Sequence, residues 1–331
     1  MILRPATLSL ILIALLTSVL AVYAGYYAVK IYKNWDFTSG SERQLGLERR
    51  TYLLSTIMSY LLSLELMSLF LFINTADNLH TQFTGAMCAA GTLAVNPYGY
   101  PALFFKVVNF LVGGVWLILN YADNKGYDYP LIRKKFALLT LMVPLLVLES
   151  AIVVLYFSGI KTDVITSCCG SLFSREAHTF SGDLASLPHK PMQISFFISM
   201  AITAFSGMFF YTRNRFGYLF SISSAVTFLI SLASIISFIC LYVYELPSHH
   251  CPFCLLQNEY NYVGYIMYAF LFTGAVTGTG VGVLMPLNWI PSIKLTIPII
   301  QRQLTFVTLV CYLLFLAISS CEMIFSTLTL G

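Results

Sequence analysis

The chain has 331 residues, a formal net charge of +4, 58% hydrophobic residues and only 10% charged ones. Soluble domains carry roughly 25% charged residues, so this chain cannot cover a water-facing surface, and lipid must be its solvent over most of its length. The loops are too short to bury a core of their own, and the basic residues are spread over several loops, which excludes a soluble domain and a nucleic-acid-binding face.

Hydrocarbon about 30 Å thick demands about 20 mostly apolar residues per crossing helix. Eight stretches meet that demand, near 6–29, 51–73, 102–122, 136–160, 193–212, 217–244, 263–285 and 304–328. The expectation is an all-α, polytopic transmembrane helical bundle of about eight spans, a single integral-membrane domain over residues 1–331 in contact with the lipid bilayer. The first stretch follows one basic residue, Arg4, and is too long for the apolar core of a signal peptide, so it reads as an uncleaved span. Spans five and six are separated by only a few residues around Arg213–Phe216, which leaves room for a re-entrant hairpin.

Basic residues set the orientation. The loops after spans one, three, five and seven hold thirteen of them: Lys30, Lys33, Arg43, Arg49, Arg50; Lys125, Arg133, Lys134, Lys135; Arg213, Arg215; Lys294 and Arg302. The opposite side holds four: Arg4, Lys161, Arg175 and Lys190. Cytoplasmic loops carry the Lys/Arg excess, so both termini are expected outside, in an inner (cytoplasmic) membrane whose other face is the periplasm or exterior.

The outside loops, 74–101, 161–192 and 245–262, hold the reactive side chains. They contain Cys88, Cys168, Cys169, Cys251 and Cys254, five of the eight cysteines, and all five histidines, His80, His178, His189, His249 and His250. Cys240, Cys311 and Cys321 fall in spans, where a cysteine usually packs as a small apolar residue. In Cys251-Pro252-Phe253-Cys254 two residues separate the sulfurs, the spacing of a reactive disulfide. If Cys254 opens span seven, the helix N-terminus lowers its thiol pKa. Cys251 reads as the more exposed sulfur, attacking or attacked. Adjacent cysteines bridge each other only with strain, so Cys88 is expected to pair with Cys168 or Cys169.

The segment Cys251-Pro252-Phe253-Cys254-Leu255-Leu256-Gln257 resembles the Pro-Cys-x-x-Cys-x-x-Gln-Arg signature of DsbB-type disulfide-forming membrane oxidoreductases, and is similar to the luminal Cys-x-x-Cys of the vitamin K epoxide reductase family. The resemblance covers seven residues; His250 stands in place of the signature's Pro and Asn258 in place of its Arg. It implies a thiol–disulfide oxidoreductase passing electrons between extracytoplasmic thiols and a membrane quinone. Cys251 and Cys254 would be the membrane-proximal pair, Cys88 and Cys168 or Cys169 the relay, Gln257 a quinone contact, and a thioredoxin-fold protein or a cytochrome the outside partner.

The alternative is metal. Thiolates and imidazoles select copper or zinc, and the same cysteines with His80, His178, His189, His249 and His250 could supply a site for binding or transfer. A membrane subunit of a larger redox complex is a third reading. Within the spans, Glu65 and Glu149 are costly carboxyls that mark a proton path or polar cavity, and they read as acceptors of the protons released when quinone oxidises a thiol pair. Lys106 reads as snorkelling to the interface. Gly274-x-x-x-Gly278 reads as a close helix-packing face.

Overall fold

In a computed structural model of the chain, described over residues 4–36, 40–126, 128–161, 164–166 and 180–328, no strand occurs among the described residues. Helices dominate because lipid offers no partner for backbone N–H and C=O groups, which an α-helix satisfies within one segment. They are α1 (Pro5–Asn34), α2 (Glu42–Leu79), the short α3 (Ala89–Leu93), α4 (Gly99–Asp123), α5 (Ile132–Ser158), the short α6 (Phe180–Ala185), α7 (His189–Arg213), α8 (Gly217–Ser234), α9 (Cys240–Tyr244), α10 (Val263–Leu284) and α11 (Thr296–Phe325). A π-helical turn, Ile235–Ile239, runs α8 into α9 as one continuous span.

Eight of these segments are long and apolar enough to cross a membrane, and the chain is a multi-pass membrane protein. The expected stretches are all present, most of them longer at their ends. At 1.5 Å per residue, the 38 residues of α2 reach about 57 Å, so its charged first turns project beyond any hydrocarbon layer. Spans five and six are full-length helices of 25 and 28 residues. The tight link between them is made by left-handed residues, Asn214 (φ 51°) closing α7 and Phe216 (φ 64°) opening α8, so no re-entrant hairpin forms.

The chain divides into two compact units. Unit 1 comprises residues 1–72, 96–160 and 283–301; unit 2 comprises 73–95, 161–282 and 302–331. In unit 1, α1 lies along α5. Its buried positions Ala14, Thr17, Ala21, Ala24 and Ala28 recur at helical spacing and are small, which lets the two backbones approach. Ser150 Oγ lies 2.7 Å from the Ala14 carbonyl and is a donor to it. Trp116, Phe136, Leu139 and Met142 fill the core beside this pair.

A polar cavity of about 650 Å³ opens in the same unit. It is lined by Thr51, Ser55 and Ser59 of α2, by Asn120, and by Lys135, whose ammonium lies 2.6 Å from Asp123.

Unit 2 is laced by hydroxyls. Thr203 and Thr227 pair at 2.8 Å between α7 and α8, and Thr277 and Thr308 at 2.8 Å between α10 and α11. A Cβ placed on Gly278 would meet Ser224 Oγ at 2.0 Å, so α10 packs on α8 through bare backbone there, as the glycine spacing implied.

Candidate functional site

The reactive side chains gather in unit 2. Among the described residues every cysteine and every histidine belongs to it. Cys88 lies in extended conformation just before α3, whereas Cys251 and Cys254 lie on the loop between α9 and α10. The fold brings the Sγ atoms of Cys88, Cys251 and Cys254 all within 4.8 Å of one another. Cys88 and Cys251 are in contact at 3.5 Å, unbridged. All three are buried, with Cys88 and Cys251 at 0% exposure and Cys254 at 4%. Cys251 is therefore not the exposed sulfur that the sequence suggested.

The loop is held through its backbone carbonyls by side chains of α9 and α10. Tyr244 donates its hydroxyl to the Cys251 carbonyl at 2.7 Å, the Cys240 thiol reaches the same oxygen at 3.5 Å, and Tyr268 donates to the Pro252 carbonyl at 3.0 Å. Below the motif a single 3₁₀ turn, Cys254–Leu256, presses Leu255 onto the start of α10. A Cβ on Gly264 would sit 2.8 Å from Leu255 Cβ and 2.9 Å from its carbonyl. Only glycine lets the turn come this close.

Cys254 does not open span seven. A second short turn follows, Asn261 and Tyr262 take left-handed φ values of 52° and 56°, and α10 starts at Val263. The long-helix dipole expected to activate Cys254 is thus absent from its backbone, and a three-residue turn is too short to replace it. The nearby polar group is an imidazole: His249 Nε2 lies 3.3 Å from Cys254 Sγ. A thiol hydrogen-bonded to histidine gains thiolate character when the proton moves to the ring.

The Cys88 loop is tied to the Cys251 loop by Gln257 and Asp77. Gln257 Nε2 donates to the Met87 carbonyl at 2.8 Å and to Asp77 Oδ1 at 3.3 Å, and Asp77 Oδ1 also accepts the Ala89 N–H at 3.1 Å. Gln257 therefore holds the two thiol loops together. Asp77, Tyr244 and Tyr268 were not singled out in the sequence, and Cys240 read there only as a packing residue; nothing in their spacing announces contact with a loop elsewhere in the chain.

The other expected residues divide. His250 Nδ1 lies 2.9 Å from the Ile236 carbonyl in the π turn, and because a carbonyl only accepts, Nδ1 carries the proton. Its ring stacks 6.2 Å from that of His189. His80 Nδ1 bonds the Asp77 carbonyl. Among the described residues, the donor group that converges is the three cysteines without any of these histidines. Cys168, Cys169 and His178 lie outside the described residues.

Glu65 and Glu149 belong to unit 1, where both bond Lys106. That lysine is buried, not snorkelling, because two carboxylates hold its ammonium in the core. No family model, curated protein or solved structure matches the chain.

Proposed function

We propose that the chain is a membrane thiol–disulfide redox protein whose working centre is the sulfur triad Cys88, Cys251 and Cys254. The observation that carries this reading is the shared sulfur: Cys251 touches Cys88 at 3.5 Å and has Cys254 within 4.8 Å. A disulfide is about 2.05 Å long, so a small side-chain movement would join Cys251 to either neighbour.

Exchange then proceeds within the cluster. With Cys88 and Cys251 bridged, the Cys254 thiolate attacks the Cys251 sulfur. The Cys251–Cys254 bond forms, the Cys88–Cys251 bond breaks, and Cys88 leaves as the thiolate. His249 is placed to take the Cys254 proton. A membrane quinone is the electron-accepting substrate: two thiols and one quinone give one disulfide and one quinol, two electrons and two protons moving together. Phe253, Leu255 and Leu256, all buried, give the sulfurs an apolar surround suited to a quinone ring. An outside thioredoxin-fold protein or cytochrome, met through Cys168 or Cys169, completes the path, and the cysteine loops face away from the cytoplasm.

Thiol trapping with a mass tag in intact cells tests this. Cys251 and Cys254 should switch between tagged and protected as quinone supply is withdrawn and restored. A pair fixed in one state under both conditions would refute the proposal.

One observation favours the second reading, copper or zinc. Zinc–thiolate bonds of about 2.3 Å place sulfurs about 3.8 Å apart, close to the spacing seen. A stoichiometric metal in the purified protein, lost in both Cys88→Ser and Cys251→Ser, would transfer the assignment to metal handling.

A further inference from the structure

Unit 1 contains a second chemical centre that thiol exchange does not use. Lys106 Nζ lies 2.9 Å from Glu65 Oε1, 2.7 Å from Glu149 Oε1 and 2.7 Å from Ser68 Oγ. The lysine and both carboxyls are no more than 3% exposed. An ammonium has three N–H donors; a neutral amine has two. Three acceptors at these distances match the charged form.

One ammonium against two carboxylates leaves one negative charge in the middle of membrane-spanning helices. The surroundings do not balance it. On α1, residues 5–29 include no charged side chain. On α4, Asn109 donates its amide to Glu149 Oε2. From α2 and α5, the ring of Phe72 lies 5.9 Å from Nζ and packs on Tyr156 and Phe157. A buried ionisable group left with an unmatched charge takes up or loses a proton.

A separate observation points to the same ligand. Glu65 Oε2 is buried and meets no donor, while Glu65 Oε1 and Glu149 Oε1 converge on the one Lys106 nitrogen, at 2.9 and 2.7 Å. Two carboxylates so placed repel; an acid and a carboxylate attract.

We infer that Glu65, Glu149 and Lys106 form a one-proton binding site inside the membrane, with a single exchangeable proton held between the two carboxyls. The proton cancels the charge and supplies the donor that Glu65 Oε2 lacks. Its release leaves an anionic cluster that the next proton refills, which is the chemistry of a proton relay.

Infrared difference spectroscopy on the full chain in lipid nanodiscs reads this directly. At neutral pH the wild type should show the C=O stretch of a protonated carboxyl, shifted in D2O. Glu149→Gln and Glu65→Gln each leave one carboxylate on Lys106, a neutral pair, and each should lose the band. Either variant serves if the other fails to fold. Glu322→Gln, a carboxyl on α11, should retain it. A wild type without the band, or with a band unchanged in both glutamine variants, would overturn the inference. So would a band that appears only when sodium is replaced by choline, because sodium would then be the balancing ion.

Discussion

Cys251 decides which bonds the site can make. It lies 3.5 Å from Cys88 and within 4.8 Å of Cys254, so under the proposed exchange its replacement by serine should abolish exchange altogether, whereas the two flanking replacements should freeze it in opposite states. Cys88→Ser should accumulate Cys251–Cys254, readable by peptide mapping of the oxidised protein. At Cys254 the histidine contact of 3.3 Å should matter: His249→Ala is expected to slow alkylation of Cys254, because the thiol loses its neighbouring proton acceptor. An alkylation profile identical to wild type would remove His249 from the mechanism. The spacing singled out Cys251 and Cys254, while Gln257 was named only for the quinone contact that the local resemblance implied. The sequence could not announce that Cys88 joins them, because a separation of 163 residues is closed only by tertiary packing. Nor could it foresee Gln257 bridging to Met87 and Asp77, since a side-chain hydrogen bond between distant loops has no local signature. The expected activation of Cys254 by a long helix failed for a local reason. Asn261 and Tyr262 turn left-handed and hold off the start of α10 until Val263.

At the scale of elements, lipid made the spans legible. A crossing helix must be apolar over its length, so hydropathy alone located all eight, and the ends ran longer because charged turns remain helical past the hydrocarbon. The π turn in span six was not legible; Ile235–Ile239 reads as ordinary apolar helix. Lys106 was misplaced for a related reason: whether a lysine snorkels or pairs depends on what other helices put beside it. Two substitutions probe the packing. Gly264→Ala drives a Cβ into the Leu255 backbone and should destabilise by about 1–3 kcal/mol, with faster labelling of Cys254 as the 3₁₀ turn lifts away. Unchanged melting and labelling would show the close approach to be dispensable. Asp123→Asn leaves the Lys135 ammonium buried without its 2.6 Å partner, and breaking such a pair by removing one member costs about 3–5 kcal/mol. A loss below about 1 kcal/mol in thermal or denaturant unfolding would mean that water from the adjoining cavity already solvates that lysine.

For the whole molecule, two patterns run along the chain in register. Basic loops alternate with loops bearing cysteine and histidine, and the compact units divide the chemistry in a related way, with buried ion pairs in unit 1 and thiols in unit 2. The alternation predicts sidedness. A cysteine introduced at Ser248, exposed on the thiol loop, should react with a membrane-impermeant maleimide added to intact cells, whereas one at Asp128, exposed in a basic loop, should react only after lysis. The reverse pattern would invert the orientation. The central claim is the shared sulfur, and disulfide mapping of Cys254→Ser tests it most directly. With the resolving thiol gone, oxidation should trap a Cys88–Cys251 bridge, found by mass spectrometry as one linked peptide pair that disappears on reduction. An oxidised Cys254→Ser protein with Cys88 and Cys251 both still alkylatable would contradict the account, since two thiols in contact at 3.5 Å that never bond are not a redox relay.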